Sequence, residues 1–302
     1  MLSGNLLGVL LALFAAICFA GNRSFASKPL ATTRPIVGTY ISIAVGVAVS
    51  AIAVLAFDQE GALLLVTSTA IFLFALVGVF HFTVARQLSF ISIKHLGANE
   101  TSAIVSTQIL YSLVFAILLL NEKVNFQIAS GSALILVGLL LLDLRSGAYK
   151  RKGSVKIGTL TALLTGMVYG LTPILIRSGL SLYHYFLDAT FIAYVAAMIV
   201  FLFTTNPVKM SSEIRSLPRF ALASYVFAGV FASSAQLFRF WALNIVPVVT
   251  VAPILAAAPL FTLVFTRKLA HELEVFQPRI ILSIILIVIG TIAVSLGSGI
   301  GV

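Results

Sequence analysis

The sequence predicts an all-helical integral membrane protein, with ten transmembrane helices arranged as two inverted five-helix repeats, and three observations predict it. First, 60% of its 302 residues are hydrophobic and only 9% are charged. A water-soluble chain of this size cannot hide that much apolar surface in its own interior. Second, the apolar residues fall into ten runs of about 18 to 25 residues, enough to cross ~30 Å of hydrocarbon. The runs show no apolar/polar alternation, which excludes a barrel and leaves helices as the backbone that lipid tolerates. Third, the chain repeats itself. A shift of 150 residues carries Ile104 onto Ile254, Leu110 onto Leu260, Leu113-Val114-Phe115 onto Leu263-Val264-Phe265, Leu119 onto Leu269, Glu122 onto Glu272 and Phe126-Gln127 onto Phe276-Gln277. That makes nine identities in 24 positions, where composition alone gives roughly two. An odd number of spans per copy inserts the second copy upside down, about a pseudo-twofold axis in the membrane plane.

In chain order, the first run covers about 4–24. Its start, Met1-Leu2-Ser3-Gly4, has no positive n-region, so this helix reads as retained rather than cleaved. Cys18, the only cysteine, reads as helix filler, because a lone thiol makes no intrachain disulfide and no multi-cysteine metal site. The second run covers about 36–57 and closes on Asp58-Gln59-Glu60-Gly61; the third, fourth and fifth cover about 66–91, 98–120 and 126–144. A basic linker, 145–156, separates a first repeat at 1–144 from a second at 157–302. The second repeat runs at about 157–179, 187–205, 220–243, 248–268 and 279–298.

Fourteen cations lie in the loops after odd-numbered spans: Lys28, Arg34, Lys94, Arg145, Lys150, Arg151, Lys152, Lys156, Lys209, Arg215, Arg219, Arg267, Lys268 and Arg279. Only Lys123 and Arg177 follow even-numbered spans. The positive-inside rule then places both termini outside the cytoplasm of a multi-pass protein of the cell (inner) membrane. The net charge of +10 thus reads as membrane orientation and excludes a nucleic-acid partner.

Polar groups inside the runs are costly in lipid and are therefore the candidate site. The third span carries His81, Arg86 and Gln87. Arg86 is within snorkelling reach of the interface and also fits a cavity cation. The eighth span carries Gln236, Arg239 and Trp241, with Gln236 the repeat counterpart of Arg86; interfacial anchoring by Arg239 and Trp241 is an equal alternative. In the fourth span, Gln108 and Tyr111 join Glu100, whose position suits the positive end of a helix dipole and also a proton-coupling carboxylate. The ninth span has Pro253 and Pro259 with small residues between them, a pattern that bends a helix and lets a neighbour approach. Asn22 and Arg23 lie near a membrane edge, or inside it if the first helix runs on to Ser27. Their counterparts Thr172 and Pro173, beside Tyr169, suggest a broken helix at a binding site. Tyr183, His184, Tyr185 and Asp188 read as an interfacial cluster. Glu122 and Glu272 read as terminus carboxylates that cap the span following each.

Several of these stretches resemble EamA-type members of the drug/metabolite transporter superfamily. Gly21-Asn22-Arg23-Ser24-Phe25 is similar to that family's small-residue and Asn patch, with Ala20 where the patch usually carries Trp. Trp241-Ala242-Leu243-Asn244 leading into Val251-Ala252-Pro253-Ile254 resembles its aromatic-Ala-Leu turn and Pro-containing helix. Phe115 to Glu122 and Phe265 to Glu272 resemble the Glu-terminated ends of the same helices. The resemblance spans essentially the whole chain. It implies an exporter or exchanger of amino acids, other small metabolites, nucleotide sugars or drugs, and cytoplasmic termini where the loop charges predict the reverse.

A secondary transporter working by alternating access accounts for the inverted duplication and the mirrored polar residues. A channel or a structural membrane protein shares the composition without mirrored gates. An enzyme would need a carboxylate cluster, a His-rich metal site or a nucleophile with its base; nine acidic residues and four scattered histidines form none, and no Walker motif is present. The expectation is therefore no catalytic residue, no metal and no cofactor. The expected partners are a small-molecule substrate, with Glu100 the candidate should a proton couple its movement, and the lipid bilayer. Tyr, Gln, Arg and Trp fit amphiphilic amino acids or drug-like metabolites, and a cation pair equally suits an anion. The nearly featureless fifth and tenth spans face lipid or a second protomer, so monomer and homodimer both stand.

Overall fold

The structure, a computed structural model, describes residues 4–57, 62–141, 154–270 and 278–299. Asp58 to Gly61, the linker through Gly153 and Glu272 lie outside the described residues, as do the side chains of Arg267, Lys268 and Arg279. Among the described residues ten rods form the bundle: α1 Gly4–Leu30, α2 Pro35–Phe57, α3 Ser68–Leu96, α4 Ala98–Leu120, α5 Phe126–Leu141, α6 Val155–Leu182, α7 Phe186–Thr204, α8 Arg219–Ile245, α9 Val248–Ala256 continued by Ala258–Ala270, and α10 Pro278–Gly299. A short helix, Pro207–Arg215, joins α7 to α8. Eight of the rods are long and apolar enough to cross a membrane, whereas α5 and α10 contribute the shorter apolar stretches Phe126–Gly138 and Ile285–Val294. Among the described residues there is no strand.

Leu, Ile, Val and Ala runs supply the rods, and prolines set where they begin. Pro35 and Pro278 open α2 and α10, and Pro218 and Pro247 cap α8 and α9; a residue without an N–H costs nothing where no intrahelical acceptor exists. Gly97, at φ +89°, makes the corner between α3 and α4 in a conformation that only glycine adopts freely. Large apolar side chains such as Leu55 and Phe203, 85% and 87% exposed, point outward where lipid is the solvent.

The 150-residue shift carries each rod of the first half onto one of the second, and hydrogen bonds show that the copies run antiparallel. At the start of α4, Asn99 Oδ1 accepts from Thr266 Oγ1, late in α9, at 3.2 Å. In the middle, Ser106 Oγ donates to Ala256 O at 3.1 Å. Beyond the end of α4, Glu122 accepts from the amides of Val248 and Val249, the start of α9, both at 2.9 Å. The fifth and tenth rods do likewise: Asn125 Nδ2 donates to Gly297 O at 2.7 Å and Ser283 Oγ to Gly138 O at 2.5 Å. Two copies of one unit crossing head to tail are an inverted repeat.

Glu122 therefore caps a helix of the other half, α9, and not the span that follows it, as its place in the sequence suggested. Two backbone donors at a helix start, beside the positive end of the dipole, favour a carboxylate there. Glu122→Ala is expected to cost about 1–2 kcal/mol and to lower the melting temperature of the detergent-solubilised protein by about 2–4 °C. An unchanged melting temperature would show that this bond is not made.

Three helices depart from uniform winding. α4 breaks at Ser106-Thr107 and α9 at Ala257, mirrored positions under the repeat. In α9 the proline pattern predicts the break, since Pro259 lacks an N–H and Leu260 N turns back to Ala257 O at 3.1 Å. In α4 no proline announces it. The third departure is a π-wound segment, Gly78–Ala85, inside α3. Conversely, α6 runs unbroken through Pro173, against the broken helix suggested by Tyr169, Thr172 and Pro173. The Tyr169 carbonyl, four residues before the proline, accepts instead from Thr172 Oγ1 at 3.4 Å. A side-chain hydroxyl that satisfies the freed carbonyl removes the reason to break.

Candidate functional site

The polar centre of the bundle lies where α1, α3, α6 and α8 meet the broken middles of α4 and α9. The π winding sets its geometry in α3: Arg86 N bonds His81 O, so residues five apart stack on one side of the helix instead of diverging by roughly 140° as in regular winding. Gly78 permits this, because a Cβ there would collide with the backbone carbonyl of Ala193 in α7.

His81, 1% exposed, is the hub. Its ring stacks on Tyr169 of α6, with centroids 4.1 Å apart. Its Nδ1 lies 2.9 Å from Thr172 Oγ1, and its Nε2 lies 2.7 Å from Gln236 Nε2. Arg239 Nη1 approaches the ring nitrogens at 3.1 and 3.2 Å, and Nη2 donates to Thr172 Oγ1 at 3.0 Å. A guanidinium has only donors. A ring nitrogen that accepts from Arg239 carries no proton, so the imidazole is neutral, and Thr172 Oγ1, which accepts from Arg239 Nη2, donates to the Tyr169 carbonyl at 3.4 Å. Across the centre, Arg23 Nη1 donates to Ser102 Oγ at 2.8 Å, which in turn lies 3.2 Å from Thr262 Oγ1.

These groups surround a cavity of about 10 Å³ lined by Phe19, Arg23, His81, Gln108, Tyr169, Arg239, Leu255 and Ala258, room for roughly one water. Two pairs of its walls are repeat counterparts: Phe19 with Tyr169, and Gln108 with Ala258. The cavity thus sits on the pseudo-twofold axis.

Of the residues singled out in the sequence, His81, Gln108, Tyr169 and Arg239 line this cavity, and Gln236 joins it through His81. The others lie elsewhere. Arg86, 3% exposed, does not snorkel; it donates to Ser42 Oγ at 3.0 Å and Tyr194 OH at 3.3 Å and lies over the Phe82 ring at 5.2 Å. Gln87 accepts from Thr39 Oγ1 at 2.6 Å, tying α2 to α3. Asn22 donates to Ala228 O at 2.9 Å, tying α1 to α8. Tyr111 packs on Gly170, and Trp241 stacks on Phe186 with centroids 5.1 Å apart. Pro253 and Pro259 are buried in α9 and shape it without lining the cavity. Glu100 sits in the first turn of α4, outside the lining. Arg23, which the sequence placed beside Asn22 without choosing between membrane edge and interior, lines the cavity, Thr172 joins it through His81 and Arg239, and Phe19, Leu255 and Ala258 are added by the structure. Carrying Tyr169 and Gln108 back through the repeat would have found Phe19 and Ala258.

Tyr183 OH donates to Asp188 at 2.6 Å, and His184, Tyr185 and Asp188 line a separate cavity of about 230 Å³ at the ends of α6 and α8. No group of His, Cys, Asp and Glu able to hold a metal occurs among the described residues.

Comparison with known proteins bears on this arrangement. The model of the EamA-like transporter family matches twice, over residues 6–143 and 156–296. A solved crystal structure of a protein superimposes with a TM-score of 0.72 at 16% sequence identity, covering 97% of this chain and 97% of that one; at that identity the likeness concerns the fold alone. A search of the curated proteins returned no match.

Proposed function

The chain belongs to the EamA-like transporter family, and from that premise we propose that it is a secondary active transporter, an exporter or exchanger of a small metabolite, amino acid or drug-like compound, working by alternating access. The observation that carries this reading is the central cavity on the axis between two inverted halves. At about 10 Å³ it is too small for any metabolite, so a solute passes only if the halves part. The polar closure at one end fits a gate that opens: Arg34, before α2, pairs with Glu213 at 2.6 Å, Thr33 bonds Tyr225 of α8 at 2.5 Å, and Lys94 of α3 reaches Thr33 O at 2.9 Å. The exposed Arg34–Glu213 pair is worth about 0–1 kcal/mol, weak enough to exchange in a transport cycle. At the other end Gly8 lies against Val246, and the amides of Val248 and Val249 hold Glu122.

The test is flux into vesicles reconstituted with the purified protein, using a panel of radiolabelled metabolites with and without a pH gradient. A carrier gives saturable uptake that preloaded unlabelled substrate accelerates. Uptake that rises linearly with concentration and shows no exchange points to a channel, and the absence of protein-dependent flux across the panel removes the transport reading.

Loop charge supports an orientation with the Arg34–Glu213 end in the cytoplasm and both termini on the other side. A reporter active only in the cytoplasm is therefore expected to be silent when fused after Val302. A bright fusion inverts the molecule without altering its mechanism.

A further inference from the structure

We infer that the central site, once the halves part to enlarge it, recognises a small organic anion held between Arg23 of α1 and Arg239 of α8; as the identity of a transported solute this rests on the carrier reading, while as a binding site it needs only that opening. Both arginines line the cavity and are 5% and 1% exposed. Arginine keeps its charge in proteins, and an uncompensated charge deep in a membrane bundle is strongly unfavourable. Yet the partners of both are neutral: Ser102 for Arg23, and His81, Thr172 and Gln236 for Arg239. Carboxylates elsewhere are engaged, Glu122 with the start of α9, Glu213 with Arg34 and Asp188 with Tyr183. Among the described residues none reaches either arginine.

Two further features point to a ligand. Arg239 Nε is buried with no hydrogen-bond partner, which is costly for a charged donor unless something docks against it. The charge is also placed asymmetrically. The repeat counterparts of Arg23 and Arg239 are Pro173 and Ser89, so neither cation is required by the helical unit that both copies share. The mirrored positions carry scaffold, and the unmirrored cations carry chemistry. Phe19, Tyr169 and Leu255 complete the walls with apolar and aromatic surface, suited to the body of a small acid, while guanidiniums suit its carboxylate or phosphate head.

The experiment uses the full chain in lipid nanodiscs and follows thermal stability and affinity on titration with benzoate, phenyl phosphate, benzylamine or benzyl alcohol, with sodium chloride as the ionic-strength control. One or both anions are expected to stabilise saturably and beyond the chloride control, and the amine and the alcohol are not. Arg23→Gln and Arg239→Gln are each expected to weaken anion binding by about 10- to 100-fold, and the Lys variants by less. Equal stabilisation by the amine or alcohol, a shift that chloride reproduces in full, or anion affinity within twofold of wild type in the Gln variants overturns the assignment. If a Gln variant fails to fold, its Lys variant and the wild-type ligand series decide. Flux of labelled phenyl phosphate in vesicles separates the two claims. Specific anion binding without saturable flux of any solute removes the carrier and keeps the site. Saturable flux of amines or neutral solutes without anion binding keeps the carrier and removes the site.

Discussion

Arg239→Met is expected to lower transport by about 100-fold, with the protein still inserted and no less stable than wild type. The rate loss follows from the bonds that Arg239 makes to the hub: 3.1 and 3.2 Å to His81 and 3.0 Å to Thr172. Hydrogen bonds from a charged donor are worth about 1.5–3 kcal/mol each, and two of them lost, taken at the low end of that range, amount to roughly a hundredfold. Stability is expected to move the other way or not at all. The guanidinium is desolvated without a carboxylate partner, and replacing such a buried charge with an apolar side chain of similar length is often neutral or stabilising. The measurement is initial flux beside the melting temperature of the purified variant. Retained flux would show that the hub does not serve transport. A collapse in melting temperature together with flux would show that Arg239 is scaffold.

Gly131→Leu is expected to cause a large loss of stability at a position far from the cavity. α5 and α10 cross at Gly131 and Gly290, where a Cβ on either would lie 2.6 Å or 2.5 Å from the carbonyl oxygen of the other. Backbone cannot yield as a side-chain tip can, and without a hydrophobic force between helices in lipid, close approach at small residues is what holds such a pair. Overpacking costs about 1–3 kcal/mol, occasionally more. The bulk of leucine against backbone belongs at the upper end, with a melting temperature lower by about 6 °C or more. Thermal unfolding of the detergent-solubilised variant checks it, and a drop below about 1 °C would mean that the two helices do not cross there. This contact also revises the expectation that the fifth and tenth spans face only lipid or a second protomer. One face of each is spent on the other, and residues such as Ile285 and Ile292 point outward.

Much of the architecture was legible because it is written in patterns that need no partner. The run lengths gave the rods, the 150-residue repeat gave the pairing of halves, and the odd span count gave their inversion. The break in α9 was legible through Pro259, whereas the matching break in α4, at Ser106 and Thr107, has no covalent cause and exists because two copies cross there. Pro173 misled for the converse reason, since the hydroxyl of Thr172 satisfies the carbonyl that the proline frees. Arg86 and Arg239, adjacent in kind and both open to an interfacial role on the sequence, separate only in three dimensions. Arg86 turns to Ser42 and Tyr194, and Arg239 turns to His81.

The sequence by itself determined that this protein lives in lipid, that it is helical, and that it is one unit written twice, because composition, run length and repetition are properties of the chain alone. Only the tertiary structure decided which polar residues share a cavity. Neighbours across helices are set by local winding and crossing points, such as the π segment of α3 and the paired breaks of α4 and α9, and these arise from packing between segments far apart in the chain.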